Sequence, residues 1–288
     1  MKTDYTLVVP AYNCADQLHS LVEDIRAVTP EKYLPKRMIL VDDASPDDNT
    51  RFAGPTLSTS ALPIDVVTLD DHLGFPGAAI EGMKQVDTDY AILMHADTRL
   101  QAKLAFAKPI KIYKDALGVL ATYIQSDPEI FAVAPTTLLL EKRRFIVGGM
   151  RQVSRNVVPC SRLASMMFEP IRQNKFLAWT STHSLDTHCV AVQMQTYKEY
   201  PFFSEMGHFF FFDDWCFELR KQGKHCYVTT DTVVFHSMNK ERPGGSSAVA
   251  TSESYSDKLK LWQEKWRDTG LCRFDAPRRR VSTESWVV

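Results

Sequence analysis

The chain has 288 residues, enough for one large domain or two modest ones, and long enough to bury a sizeable core. A composition of 44% hydrophobic and 24% charged residues excludes a largely disordered chain. The 34 Lys and Arg against 35 Asp and Glu leave a formal charge of −1, which argues against a protein whose main task is coating nucleic acid, while leaving room for a local basic patch. No run approaches the roughly 20 apolar residues of a membrane-spanning helix, and the start of the chain lacks a leader pattern. Six widely scattered cysteines with no CxxC pair read as reduced thiols rather than a disulfide frame or zinc site, so a cytoplasmic enzyme is expected.

In chain order, Thr6 to Val9 predicts a strand and Ala15 to Val28 a helix, with Leu18, Leu21, Val22 and Ile25 on one face. Met38 to Val41 is a second strand, closed by the acidic turn VDDASPDD (41–48). Ile64 to Leu69 is a third, followed by the turn DHLGFPG (71–77) and a helix from Ala78 to Gln85. Tyr90 to Met94 is a fourth, closed by HADTR (95–99). Strands separated by crossover segments predict an α/β fold, a doubly wound and mostly parallel sheet with helices on both faces. Residues 100 to 125 read as helical with an interruption at Pro109, and Phe131 to Ala134 as a strand. A basic stretch runs from Leu140 to Asn174, with arginines from Arg143 to Arg172. Thr187 to Val192 reads as a strand, and Trp215 to Gln222 as a helix stopped by Gly223. Lys224 to Thr230 and Thr232 to His236 are two further apolar runs. The segment PGGSSAVATS (243–252) reads as a mobile loop, Ser256 to Arg267 as a helix carrying Leu259, Trp262 and Trp266, and the RRR-containing tail (273–288) as poorly ordered.

In an open parallel sheet, ligands bind beyond the carboxyl ends of the strands, where strand order reverses. Those ends carry Pro10, Ala11, Tyr12 and Asn13; Asp42 and Asp43; and His95 and Asp97. Carboxylates gathered at one sheet edge need a neutralising cation, and their hard oxygens suit magnesium or manganese. Taken alone, Asp42 to Asp48 reads equally well as a solvated turn with helix-capping residues. GFPG (74–77) fits neither GxGxxG nor the phosphate loop, which removes support for a dinucleotide dehydrogenase or P-loop ATPase. Pro10 followed by an aromatic makes a poor phosphate cradle but a suitable wall for a flat base.

The segments VVPAYN (8–13), VDDAS (41–45), HLGFPGAAIEG (72–82), LMHADT (93–98) and VVFH (233–236) resemble, in order and spacing, the motifs of family-two glycosyltransferases of the GT-A fold. The resemblance implies inverting transfer of a hexose-type sugar from a nucleotide-diphosphate sugar, with UDP favoured, to a hydroxyl acceptor. The acceptor would be a glycan, a lipid-linked sugar or a protein, with modified DNA ranked below them. Residues 1–100 would form the nucleotide-sugar half, and 101–238 the acceptor-binding and catalytic half of the same domain. Residues 239–272 would supply a loop, folding over the donor around Gly244 and Gly245, and a final helix.

By the same resemblance Pro10, Ala11, Tyr12 and Asn13 line the nucleotide pocket, and Asp42 or Asp43 meets base or ribose. Gly74, His95, Ala96 and Asp97 complete the donor site. Asp97 matches the last acid of a DxD motif, and with His236 and His95 it would hold Mn2+ or Mg2+ on the diphosphate. His95 stands where the motif has its first acid, which removes one negative charge; a histidine simply packed at the strand end is the other reading. FFDDWCFELRKQG (211–223) resembles the helix that carries the catalytic base but is about two residues short. Asp214 is the first choice for base and Asp213 its rival, against a reading in which both cap a helix starting at Trp215. FFFF (209–212) reads as core ahead of a sugar platform, and the scattered arginines as a solvated face ahead of a phosphate site. Two alternatives stay open: a catalytically inactive sugar-nucleotide or glycan-binding module, and a sugar nucleotidyltransferase.

Overall fold

The computed structural model describes residues 4–101, 115–139, 178–180, 185, 187–236, 255–266 and 269. The expectations for the interruption at Pro109, the basic stretch from Arg143 to Arg172, the loop 243–252 and the tail lie outside these residues, as do the side chains of Phe209 and Leu259.

Among the described residues, nine strands form one sheet: β1 (Tyr5–Ala11), β2 (Arg37–Asp42), β3 (Ile64–Thr68), β4 (Tyr90–Met94), β5 (Thr98–Arg99), β6 (Ala132–Leu139), β7 (Ala178–Thr180), β8 (Cys189–Gln193) and β9 (Cys226–His236). Their order is β3-β2-β1-β4-β8-β6-β9-β5, with β7 also on β9. The strands β1 to β4, β6 and β9 run one way, while β8, β5 and β7 run against them. The sheet is therefore mostly parallel, as expected, with the antiparallel strands all on the side of β4 away from β1.

Both faces are covered, and alternation along the central strands shows why. Leu7 and Val9, Met38 and Leu40, Ile92 and Met94 turn to one core, which is closed by α1 (Ala15–Val28), α2 (Asn49–Leu57) and α4 (Ala116–Ser126). Val8, Ile39, Val41, Ala91 and Leu93 turn to the other. That core is closed by α3 (Gly74–Lys84), α6 (Gly207–Lys221) and α7 (Tyr255–Trp266), while α5 (Met194–Glu199) follows β8 directly. Strands buried on both faces read as continuous apolar runs, which is how β1, β2 and β4 appear in the sequence. Helix α3 lies close to the sheet because Gly82 carries no side chain: a Cβ there would meet Val8 Cγ1 at 2.6 Å and Val41 Cγ2 at 2.8 Å.

The short elements β5, β7 and α5 have no counterpart in the sequence expectation, and four longer elements depart from it. Helix α3 begins at Gly74, four residues before Ala78, because Pro76 falls in its first turn, where no backbone N–H is required. Helix α2 has no counterpart in the reading above; its Pro55 falls near its end. Helix α6 begins at Gly207, not Trp215, so Asp213 and Asp214 sit inside it and do not cap its start; it does stop before Gly223, at φ +72. The two runs at 224–236 form a single strand. The register of β9 on β6 jumps from Pro135↔Thr229 to Thr136↔Val233, which sets off residues 230–232 as a bulge. There the Tyr123 hydroxyl donates to Asp231.

Candidate active site

Pairing between β1 and β4 stops at Val8↔Leu93, while β1 stays with β2 as far as Ala11↔Asp42. Strand order reverses between these two neighbours of β1, so a crevice opens there at the carboxyl ends. Pro10 lies in this stretch, where β4 asks for no N–H. Pro10 and Ala11 are buried, whereas Tyr12 is half-buried and stacks on His72 with ring centroids 4.1 Å apart. Asn13 and Ala44 both hold left-handed backbone, at φ 47 and φ 56, side by side at the ends of β1 and β2. The Asn13 N–H donates to Ser45 Oγ at 2.9 Å, which ties the two turns together.

Asp42 and Asp43 are both buried. Asp42 Oδ1 accepts from the Ser45 N–H at 3.2 Å and from the Ser45 hydroxyl. Asp43 Oδ1 accepts from the Leu73 N–H at 2.7 Å, and its Oδ2 lies 2.9 Å from His72 Nδ1. Burial pushes the Asp43 carboxyl above the usual carboxylate range, against the pull of the Leu73 and Gly74 N–H groups and His72. Gly74, at φ +71, opens α3 beside this acid. A hollow of about 600 Å³ opens nearby, between α1 and α2, and includes Asn13, Asp16, His19 and Phe52. Its lining contains none of the histidines discussed next.

His95 and Asp97 follow β4, and His236 ends β9. The two-residue strand β5 joins them: Thr98 pairs with His236, which sets Asp97 beside the ring. His236 Nε2 lies 3.1 Å from Asp97 Oδ2, across 139 residues of sequence. His95 Nδ1 stands 4.0 Å from Asp97 Oδ1, while its Nε2 meets Thr187 Oγ1 at 3.0 Å. Ala96, between them, is buried in the core. Burial opposes the Asp97 charge, but the His236 hydrogen bond and the surrounding imidazoles hold its carboxyl well below the usual range. Burial, reinforced by His188, pushes the His95 imidazole well below its ordinary value, which leaves it neutral at pH 7.

Three contributors escaped the sequence reading. His188 precedes β8, and because β8 runs antiparallel to β4 its carbonyl accepts from the His95 N–H at 3.1 Å. Its ring lies 4.0 Å from that of His236 and 4.8 Å from that of His95. Phe75, in the first turn of α3, stacks on His95 at 4.0 Å, and His72 partners Tyr12. The only sequence signal for His188 is a histidine at a strand start, which means nothing until the pairing partner is known. Phe210, Phe211 and Phe212 are buried, and Phe211 meets Phe75 edge-on at 5.9 Å, so the phenylalanine run is core that backs the site.

The two candidate bases part company. Asp214, 1% exposed, turns to α7: its Oδ1 accepts from Trp266 Nε1 at 2.8 Å and its Oδ2 from Lys265 Nζ at 3.0 Å. Burial raises its carboxyl above the usual range, with those two donors pulling it back. Asp214 thus anchors one helix to another. Asp213 lies beside Cys216, whose thiol takes the Leu185 N–H, so this part of α6 faces the segment leading to Thr187 and His188.

The residues present suit a divalent cation. His95, His188 and His236 supply three clustered imidazoles, Asp97 supplies a carboxylate beside His236, and His236 Nδ1 is buried without a hydrogen-bond partner among the described residues. No helix among them is long and apolar enough to cross a membrane.

The mostly parallel sheet flanked by helices is the GT-A fold of glycosyltransferases, and solved structures share that fold. A mannosyltransferase from Pyrobaculum calidifontis, in complex with GDP-Man and Mn2+, superposes with a TM-score of 0.61 at 16% identity, covering 95% of this chain and 65% of its own. GalNAc-T7 with UDP, GalNAc and Mn2+ gives 0.65 at 15%, covering 92% and 49%. TarS from S. aureus in complex with UDP-GlcNAc gives 0.57 at 12%, covering 85% and 61%. The sequence carries the assignment further: the description of Glycosyl transferase family 2 matches residues 6–173, over half of the chain, and the chain belongs to that family. A curated relative, undecaprenyl-phosphate 4-deoxy-4-formamido-L-arabinose transferase of Serratia proteamaculans (strain 568), is 26% identical over 117 residues. That match spans 41% of this chain and 36% of the relative.

Proposed function

We propose that this chain transfers a sugar from a nucleotide-diphosphate sugar to a hydroxyl acceptor with inversion. The observation that carries the reading is the meeting of Asp97 and His236 at 3.1 Å, at the crevice where the strand order reverses. Pro10, Ala11, Tyr12 and Asn13 line the base, with the Tyr12–His72 pair as its aromatic wall. Asp42 meets base or ribose through Oδ2, since Oδ1 serves Ser45, and Asp43 acts by holding the first turn of α3. Asp97, His236 and His95 hold the diphosphate end. A divalent cation bound there, Mn2+ or Mg2+, supplies charge stabilisation for the departing nucleoside diphosphate. The nucleotides named with the solved relatives, UDP in two and GDP-Man in one, support this donor class.

Inversion needs one displacement at the anomeric carbon. The acceptor oxygen forms the new bond, the bond to the diphosphate breaks on the opposite side, and the acceptor proton passes to a carboxylate. Asp213 takes that proton in this reading, because Asp214 is committed to Lys265 and Trp266. The acceptor classes remain a glycan, a lipid-linked sugar or a protein. Screening common sugar nucleotides for slow hydrolysis in the presence of Mn2+ tests the proposal. One donor should release its nucleoside diphosphate, and Asp97→Asn should abolish the release. Thermal stabilisation by UDP with Mn2+ but no release from any donor would establish a binding module instead, and release of pyrophosphate a nucleotidyltransferase.

A further inference from the structure

The cation site contains more nitrogen than donor chemistry requires. His95, His188 and His236 each offer one ligand atom, and these atoms all lie within 4.8 Å of one another. They arrive from three separate segments: the turn after β4, the residue before β8 and the end of β9. Two of the rings already have one nitrogen engaged, His95 Nε2 by Thr187 and His236 Nε2 by Asp97. Rings that bind metals are oriented in this way, with a hydroxyl or carboxylate holding the nitrogen that faces away from the ion. Nδ1 is then the remaining nitrogen on both, and in His236 it is buried without a hydrogen-bond partner among the described residues. Asp97, on the Nε2 side of His236, fixes that ring from behind, and its Oδ1 stands 4.0 Å from His95 Nδ1.

Ligand type decides which ion such a set prefers. Carboxylate and water suit Mg2+, which keeps several waters and leans on substrate phosphates, whereas imidazole suits Zn2+ and other borderline ions. Around Zn2+ at about 2.0–2.1 Å, tetrahedral ligand atoms stand roughly 3.3 Å apart, so the rings close by about 1.5 Å or less, which the broad χ2 of histidine accommodates. We infer that His188 joins His95 and His236 in a three-imidazole site, with Asp97 orienting His236 from behind, that binds Zn2+ or Co2+ without any nucleotide and discriminates against Mg2+. This rests on reading the Asp97–His236 pair as the cation centre of a transferase.

The test is calorimetric titration of the full, metal-stripped chain with Zn2+ and with Mg2+ in the absence of nucleotide. One Zn2+ per chain should bind at least about 100-fold more tightly than Mg2+, and His188→Ala and His188→Gln should each weaken Zn2+ by at least about tenfold. His19→Ala, on the exposed side of α1, should leave Zn2+ binding unchanged. X-ray absorption of the zinc-loaded wild-type chain needs no variant to fold and should count three imidazoles. Equal affinity for the two ions, an unchanged affinity in folded His188 variants, or fewer than three imidazoles would overturn the inference. Sugar-nucleotide hydrolysis, measured separately with Mn2+, keeps the two readings apart. Hydrolysis without Zn2+ preference leaves the transferase and removes this site; Zn2+ held through His188 with no hydrolysis does the reverse.

Discussion

Truncating Asp214 to alanine should loosen the seam between α6 and α7 rather than silence a reaction. The carboxylate is 1% exposed and takes Trp266 Nε1 at 2.8 Å, so its removal leaves a buried indole N–H without that acceptor, a loss of about 1–3 kcal/mol. Lys265 keeps Glu218 at 3.0 Å and is one-third exposed, so the broken ion pair adds only about 0.2–1 kcal/mol. Relief of the buried charge, visible in the raised pKa, offsets part of this. A net loss of about 2 kcal/mol corresponds, at roughly 2–4 °C per kcal/mol for a chain of this size, to a Tm about 4–8 °C lower. Asp214→Asn keeps an acceptor for Trp266 and should cost under about 1 kcal/mol while retaining turnover. Asp213→Asn should instead lower turnover by about 10²–10⁴-fold, the usual contribution of a general base. Differential scanning calorimetry and donor hydrolysis read the two effects separately. An Asp214→Ala variant melting within about 1 °C of the wild type, or an Asp214→Asn variant that loses turnover while Asp213→Asn keeps it, would refute the division of roles.

Asp115 gives a pH signature. It caps α4 through the Gly118 N–H, and burial pushes its carboxyl from 3.8 up to about 6. The folded state therefore holds this proton more tightly than the unfolded state. The associated stability is complete below pH 3.8 and is lost as pH rises through 6, by up to about 3 kcal/mol. Urea unfolding should show Asp115→Asn gaining on the wild type between pH 4 and pH 7.5, and an equal difference at both pH values would contradict the assignment. At Gly82, alanine brings a methyl against Val8 and Val41; crowding of about 1–3 kcal/mol outweighs the helix preference of alanine, so the urea midpoint should fall. An unchanged or higher midpoint would mean that α3 shifts freely on the sheet.

The sequence made the first half of the fold legible because its strands are buried on both faces and its first helix keeps one apolar stripe. β1, β2 and β4 read as unbroken apolar runs, and Leu18, Leu21, Val22 and Ile25 mark the buried side of α1. Helix α2 was hidden by Gly54 and Pro55, which look like breakers. Gly54 is there for contact: a Cβ would meet Val66 Cγ2 at 2.3 Å. The start of α6 was hidden because Phe210, Phe211 and Phe212 are all buried, and a helix covered all round shows no amphipathic period. In the site, strand ends pointed to Asp97 and His95, while the resemblance supplied His236. His188 depends on an antiparallel partner, and no local pattern announces a pairing between residues nearly a hundred positions apart.

The brief pairing of Thr98 with His236 has a consequence for how the edge that carries Asp97 comes into being. A growing polypeptide that has reached only α4 already carries the residues of β1 to β4, the turns around Tyr12 and Ser45, and the acid at position 97. It cannot finish the edge, because the partner strand arrives 139 residues after that acid. On the proposed reading, the residues assigned to donor recognition and those assigned to donor activation are completed at different moments of synthesis.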